Sequence, residues 1–381
     1  MAQTLIIAGF GSMGQAFVCL YGSYLRTFQS IHIIDRTVPD SIEDGLKFHH
    51  IDVADTSALE VVLADINEPI LFLNFTAGTD TVKLRTVLAD YDATYIDTAC
   101  SAIDGACEYS YSQLMPHTYT EVGNRKPHLL CCGLNPGLIE ILIRQIIRTH
   151  FPRSNRLDIC IYEHDTLTSA NQSTNHLPVS WSLETLIDEV LLSPTLKIHE
   201  GQLLEGRQGP TEIVTVNWTG QTVESRLVGH EDIWNMQFLE NVKVWNCSYA
   251  YAFSEAVMAV LNKGPGAAQQ ALYVPKMAEP IAGTDQIAIK VTDVDSGRSK
   301  MLLWQLSHQN VWNKHRVNAV QYQVCASARL FCEMINSDRF PMKPCQHAAN
   351  LPIPESAWDL LTTLMVRCDI RWEEIPSRNI Q

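Results

Sequence analysis

Thr4-Leu5-Ile6-Ile7-Ala8-Gly9-Phe10-Gly11-Ser12-Met13-Gly14 carries an apolar run straight into G-x-G-x-x-G. A strand that turns tightly into a helix needs this order, because the helix N-terminus then presents its unpaired amides to an anion. Gly9 permits the turn, Gly11 lets a pyrophosphate approach the backbone, and Gly14 lets the helix lie close on the strand. Ser12 and Met13 fall in the first helical turn, beside that anion site. Downstream, Gln15 to Phe28 places Ala16, Phe17, Leu20, Tyr24 and Leu25 at helical spacing, and Ile31 to Asp35 reads as the next strand. The glycines therefore have a strand, a helix and a second strand around them, the context that gives the motif its meaning. Asp35 follows Gly14 by roughly twenty residues, where a carboxylate takes the adenosine ribose hydroxyls and favours NAD. Arg36 offers a guanidinium to the 2′-phosphate of NADP, so both dinucleotides stay open. The competing reading is an ordinary glycine turn of an α/β protein that binds no nucleotide.

A chain of 381 residues is long enough for two domains with well-buried cores. Its 46% hydrophobic and 18% charged residues are those of a soluble globular protein. A formal net charge of −14 argues against non-specific nucleic-acid binding and is weakly compatible with cationic ligands, most of it being accounted for by a solvated acidic surface. Eleven cysteines without C-x-x-C or zinc-finger spacing read as reduced thiols, and the first strand begins too soon after Met1 to leave room for a signal peptide. Both observations point to the cytoplasm. No apolar run is long enough to span a bilayer. With no H-E-x-x-H, cysteine–histidine zinc spacing or EF-hand loop, no metal is expected.

The α/β alternation continues through strands at Gly45 to Ile51, Pro69 to Phe75, Thr94 to Asp97 and His128 to Cys132, with helices at Ser57 to Ala64, Val82 to Tyr91 and Leu138 to Thr149. Ligands collect at the carboxyl ends of such parallel strands, which here carry Asn74 and Thr76, then Asp97 and Thr98. Beyond residue 150 the rhythm changes. Strands at Leu157 to Glu163, Thr211 to Trp218, Gln221 to Val228 and Val242 to Tyr251, with a hairpin about Asp295-Ser296-Gly297, predict a second α+β domain on a mixed or antiparallel sheet. An amphipathic helix from Val317 to Ile335 is expected to pack back on the nucleotide domain, and the tail after Pro341 to wrap the surface. The expected domains are 1–137, 138–316 and 317–381.

Two clusters in the second domain offer chemistry. One is Glu163-His164-Asp165-Thr166, followed by Trp181 and by Glu184, Asp188 and Glu189 on a helix; the other is Gly229-His230-Glu231-Asp232. Carboxylates, an indole face and an imidazole together suit a cationic amine or iminium. Each has a plainer reading: Trp181 as a core aromatic, the acids as a solvated first helical turn, His230 as a structural histidine.

The ordered set G-F-G-S-M-G-Q, Y-I-D-T (Tyr95 to Thr98), G-L-N-P-G-L (Gly133 to Leu138), E-H-D-T (Glu163 to Thr166), Trp181 with Glu189, His230-Glu231 and V-Q-Y-Q-V (Val320 to Val324) resembles bacterial homospermidine synthases, within the wider saccharopine and carboxynorspermidine dehydrogenase group. The resemblance covers most of the chain. It implies a Rossmann domain holding NAD and a second domain holding an amine such as putrescine, with a homodimer as the family expectation. It further implies Asn135 near the nicotinamide, Trp181 against a cationic intermediate, Glu163 and Glu189 on ammonium groups, and His230 in the substrate pocket as acid or base. One departure stands out: Ser101-Ala102-Ile103 replaces the acidic E-P-W segment of those enzymes. Reductive condensation of an amine with a carbonyl compound, and a non-catalytic dinucleotide-binding protein, are the rival readings.

Overall fold

The computed structural model describes residues 3–103, 110–123, 125–170, 176–206, 212–218, 221–239 and 242–375; the expected strand start at Thr211 and the end of the tail lie outside them. The chain divides into two compact units, Met1–Leu138 with Gln323–Ile370, and Ile139–Tyr322 with Arg371–Gln381.

The first unit alternates β1 (Thr4–Ala8), α1 (Ser12–Leu25), β2 (Ser30–Asp35), β3 (Leu46–His50), α2 (Thr56–Ala64), β4 (Ile70–Asn74), α3 (Thr81–Leu88), β5 (Ala93–Asp97), α4 (Tyr111–Thr118) and β6 (His128–Leu130). Helix starts follow local chemistry: the Asp55 carboxylate accepts from the Ala58 amide at 3.1 Å, and Asp80 accepts from Val82 at 3.1 Å. All five residues of β1 and of β4 are buried, as in a parallel strand covered on both faces. The sheet is parallel, in the order Cys345–His347, β6, β5, β4, β1, β2, β3. Chain direction across the sheet reverses between β1 and β4, which creates the crevice at the carboxyl ends that defines a Rossmann-type domain.

The tail does not wrap the surface. Cys345–His347 pairs in parallel with β6 as a seventh strand, Gln346 and His347 are buried, and a helix follows at Trp358–Arg367. Three residues flanked by prolines carry no strand periodicity, so only the partner strand reveals them. Within the same unit the Arg329 guanidinium lies over the rings of Tyr21 and Tyr24 at 4.9 and 5.2 Å, tying the helix Ala319–Ile335 to α1. That helix begins on a reciprocal cap, Asn318 and Gln321 exchanging side-chain and backbone hydrogen bonds at 2.8 and 2.9 Å.

The second unit opens with α5 (Leu138–His150) and β7 (Arg156–Asp165) and is built on a mixed sheet of nine strands among the described residues. The sheet's long neighbours of β7 are Lys243–Phe253, parallel to it, and Thr284–Asp293, antiparallel, which turns back through the predicted hairpin into Ser299–Ser307. Burial in β7 alternates strictly, so that Leu157, Ile159, Ile161, Glu163 and Asp165 share the inward face. An apolar stripe that ends in two buried carboxylates requires partners for both. No helix among the described residues is long and apolar enough to cross a membrane.

Candidate functional site

The three glycines of the first loop answer to different neighbours. Gly9 has φ +86°, and a Cβ there would stand 2.9 Å from the backbone of Phe75 and Thr76. A Cβ on Gly14 would stand 2.1 Å from the Gly9 carbonyl oxygen. Gly11 has an ordinary φ of −73° and open space where its Cβ would go, so no contact among the described residues requires glycine at that position. A ligand that approaches the backbone does. Gly11 caps α1 without a side-chain hydrogen bond, and no acidic residue occupies the first turn at Ser12, Met13 and Gly14. The loop is thus fitted to an anionic dinucleotide.

Asp35 closes this loop from the neighbouring strand. Its carboxylate accepts from the Phe10 amide at 2.5 Å and from the Thr37 amide at 2.7 Å, which fixes it beside the glycines. Arg36 is exposed. At the end of β4, Asn74 donates to the Tyr95 hydroxyl at 3.0 Å and accepts from Thr76 Oγ1 at 2.7 Å. Asp97, wholly buried at the end of β5, accepts from the Cys131 amide at 2.5 Å. Burial pushes its carboxyl up to about 7, against the opposing pull of that amide, Arg85 and Tyr95. Thr98 abuts the Gly133–Gly137 loop that carries the half-buried Asn135: a Cβ on Gly133 would lie 3.0 Å from the Thr98 carbonyl oxygen. Ser101 is a structural node, its hydroxyl accepting from the Thr81 amide at 2.9 Å.

The second unit gathers Glu163, Trp181, Glu189 and His230 about one aromatic stripe. Tyr249, Tyr251 and Phe253 alternate along their strand, and the register sets Tyr251 beside Glu163 and Phe253 beside Asp165. The Tyr249 hydroxyl donates to Glu163 Oε2 at 2.7 Å. Trp181 packs over the stripe, with ring centroids 5.5 Å from Tyr251 and 5.6 Å from Phe253, and keeps 9% of its surface exposed. Its predecessor Ser180 hydrogen-bonds Asp165 Oδ2, while His308 Nε2 reaches Asp165 Oδ1 at 2.9 Å. Because His308 Nδ1 accepts from the Ala319 amide at 3.1 Å, the proton lies on Nε2 and is donated to Asp165. Asp165 therefore anchors both the strand of Glu163 and the segment of Trp181.

His230 stacks on Tyr249, ring centroids 4.4 Å apart, and heads the short helix Glu231–Asn235. Its Nδ1 lies 2.9 Å from Asp232 Oδ2 and 3.4 Å from Glu231 Oε2. Burial alone would lower its pKa, but Glu231, Asp232 and Glu189 outweigh burial and raise it to about 10. The same Nδ1 accepts from the Asp232 backbone amide at 3.4 Å, so His230 caps its own helix while the surrounding carboxylates favour the charged ring. The segment of Glu189 departs from the regular helix that its sequence predicts: after Leu183–Ile187 it widens into a π-type turn, with the Ser193 amide donating to the Asp188 carbonyl at 2.7 Å. Burial raises the Glu189 carboxyl to about 8, with Glu231, Glu163 and Asp188 adding to the rise and His230 opposing it.

The cluster is an aromatic wall surrounded by carboxylates with one imidazole, residue types whose charges and ring faces suit a cation. Asp97, Thr98 and Asn135 belong to the first unit. Tyr249, Tyr251 and Phe253 were not singled out from the sequence, although the period-2 pattern Y-A-Y-A-F signals them. Among the described residues no group of three or more His, Cys, Asp or Glu is placed to hold a metal ion.

Among solved structures, the chain is similar to a homospermidine synthase from Legionella pneumophila in complex with NAD, with a TM-score of 0.79 at 16% identity over 98% of this chain and 91% of that one. It is also similar to an apo saccharopine dehydrogenase (L-Glu forming) from Saccharomyces cerevisiae, with a TM-score of 0.59 at 11% identity over 98% of this chain and all of that one, 100%. At these identities the likeness is one of fold. No protein-family model and no curated protein matches the sequence.

Proposed function

We propose that the chain is an NAD-dependent polyamine-forming enzyme resembling homospermidine synthase, in which an amine such as putrescine gives up a hydride to become an imine, the imine exchanges with a second amine and releases ammonia, and the same hydride is returned to the new imine. The observation that carries this reading is the Trp181–Tyr251–Phe253 wall set among Glu163 and Glu189. A nicotinamide dinucleotide, when bound, supplies the acceptor and donor of hydride, and in the L. pneumophila relative the bound dinucleotide is NAD. The residues suited to hold it are Gly9, Gly11, Ser12, Met13, Gly14 and Asp35 on the first loop and strand pair, with Asn74, Thr76, Asp97, Thr98 and Asn135 at the carboxyl ends of the strands. Glu163 and Glu189 bind ammonium groups, and an amine that docks on Glu189 drives the proton off that carboxyl. Trp181 stabilises the cationic intermediate through its ring face, worth about 2 kcal/mol or more where water is excluded. His230 acts as a proton donor or as a fixed positive charge that orients the carboxylates. Free thiols at every described cysteine suit a reducing compartment such as the cytoplasm.

Purified protein given putrescine with catalytic NAD is expected to form homospermidine, read by mass spectrometry. Absence of product with either dinucleotide and a panel of polyamines would overturn the reading. Ser101 favours a second reading: buried and engaged with Thr81, it supplies no carboxylate to an amine. Reductive condensation of an amine with an aldehyde or keto acid then takes its place, distinguished by stoichiometric consumption of NADH or NADPH, with the exposed Arg36 available for a 2′-phosphate.

A further inference from the structure

Two thiols meet just beyond the ends of neighbouring strands in the first unit. The parallel register Tyr95↔His128 and Ile96↔Leu129 sets β5 and β6 side by side, and the Sγ atoms of Cys100 and Cys131, which follow them, lie 3.5 Å apart. Cys100 is half-buried and Cys131 wholly buried, and neither is in a disulfide. The Cys100 thiol donates to Sδ of the buried Met115 on α4 at 3.6 Å. Cys132 turns its own thiol to the Leu130 carbonyl at 3.4 Å, which leaves Cys131 as the sulfur that faces Cys100. Cys131 has φ +55°, in the left-handed region that a side chain disfavours. Asp97 holds the chain in that conformation: its carboxylate accepts from the Cys131 amide at 2.5 Å, and its carbonyl from the Cys132 amide at 2.7 Å.

We propose that Cys100 and Cys131 are an oxidation site, a thiol pair that closes to a reversible intrachain disulfide when a hydroperoxide oxidises it. Cys100, the thiol nearer solvent, attacks as the thiolate, and its O–S bond forms as the peroxide O–O bond breaks; Cys100 becomes a sulfenic acid and an alcohol or water leaves. Cys131 then attacks Cys100 Sγ, so that the S–S bond forms, the S–O bond breaks and water leaves. The two thiols lose two electrons and two protons in all, and the peroxide gains them. Closure from 3.5 Å to the disulfide length of about 2.05 Å brings the sulfurs together by about 1.5 Å. Whatever share of that movement Cys131 takes passes through its amide to Asp97, at the carboxyl end of β5 where the dinucleotide is proposed to bind. That consequence rests on the dinucleotide reading; the bond itself does not. In a reducing compartment the pair stays open and closes only under oxidation, as a sensor and not as a structural bridge.

The test treats the full, reduced chain with hydrogen peroxide, blocks the remaining thiols and reads the mass of the intact chain and of its peptides. The chain is expected to become two hydrogens lighter, with Cys100 joined to Cys131 in one peptide pair, and to return to its first mass in dithiothreitol. Cys100→Ser and Cys131→Ser should each lose the link, and C131S should leave Cys100 as a sulfenic acid that dimedone captures. Should C131S not fold, C100S, at the half-buried position, decides alone. Oxygen-added forms without a link, a link only between chains through the exposed Cys19, or a link that survives in C100S would each overturn the proposal. Calorimetric titration with NAD then reads the consequence: the oxidised chain should bind about tenfold more weakly, the order of one hydrogen bond to a charged group. Equal affinity before and after oxidation would refute the coupling through Asp97. A chain that binds no dinucleotide in either form would refute the cofactor reading, while the peptide map still decides the disulfide.

Discussion

Gly11 and Gly14 differ in what they meet, and alanine at each separates ligand from fold. At Gly14 a methyl group would stand 2.1 Å from the Gly9 carbonyl oxygen, a backbone atom that cannot swing aside. Overpacking of this kind costs about 1–3 kcal/mol, and so close a contact belongs at the upper end. Alanine returns about 1 kcal/mol of helix propensity, leaving a net loss near 2 kcal/mol. For a unit of this size that lowers Tm by roughly 4–8 °C. At Gly11 the same methyl group enters open space at an ordinary φ, so stability should change by about 1 kcal/mol or less, the worth of the altered N-cap. Dinucleotide affinity should nevertheless fall by at least about tenfold, 1.4 kcal/mol, because the methyl occupies the approach of the pyrophosphate. Thermal melts and calorimetric NAD titrations of both variants measure the two quantities. An unchanged NAD affinity in Gly11→Ala would refute the assignment of this loop to a dinucleotide; an unchanged Tm in Gly14→Ala would refute the packing argument.

Trp181→Ala should lower kcat/KM for the amine by roughly 30-fold, the equivalent of about 2 kcal/mol, with Trp181→Phe falling between it and the parent; equal activity of all three would remove the cation–π role. Tyr249→Phe deletes the hydroxyl donated to buried Glu163 and should cost about 1–3 kcal/mol in urea denaturation. Asp97, Glu189 and His230 all have folded pKa values above their ordinary ones, at about 7, 8 and 10, so the folded chain binds more protons than the unfolded one. Their stabilisation is complete below the unfolded values and is lost as pH rises through the folded ones: for Asp97 by about pH 7, for Glu189 by about pH 8, and for His230 between about pH 6.5 and 10. Urea midpoints that rise between pH 7 and 10 would contradict this sign. Putrescine affinity should strengthen between pH 6 and 8 as Glu189 ionises, a trend that Glu189→Gln should abolish.

The Rossmann-type half was legible because its signals are local. Gly9, Gly11 and Gly14 follow a strand whose burial on both faces makes it a continuous apolar run, and Asp35 closes the next strand. The α+β second half was legible in outline, since strands such as Thr284–Asp293 alternate and Gly297 turns the hairpin. The strand Cys345–His347 was not, because the strand it pairs with, β6, lies more than two hundred residues earlier. In the candidate site, Glu163, Trp181, Glu189 and His230 were singled out by residue chemistry and then by an ordered resemblance, whereas Tyr249 and Tyr251 could have been singled out from periodicity. Glu140 could not: a single acid in L-I-E-I-L-I reveals nothing until Asn235, nearly a hundred residues on, is brought to it by the fold.

The anchoring of Ser180 and His308 on Asp165 also bears on how the site can diverge. Glu163 and Asp165 are two residues apart on one strand face, a backbone spacing of about 7 Å that no loop can alter. Trp181 is referred to that same strand through Ser180, so the offset between negative charge and indole is built into a rigid ruler. The connection between Thr166 and Val179 can then change length or sequence while the spacing between charge and ring stays constant.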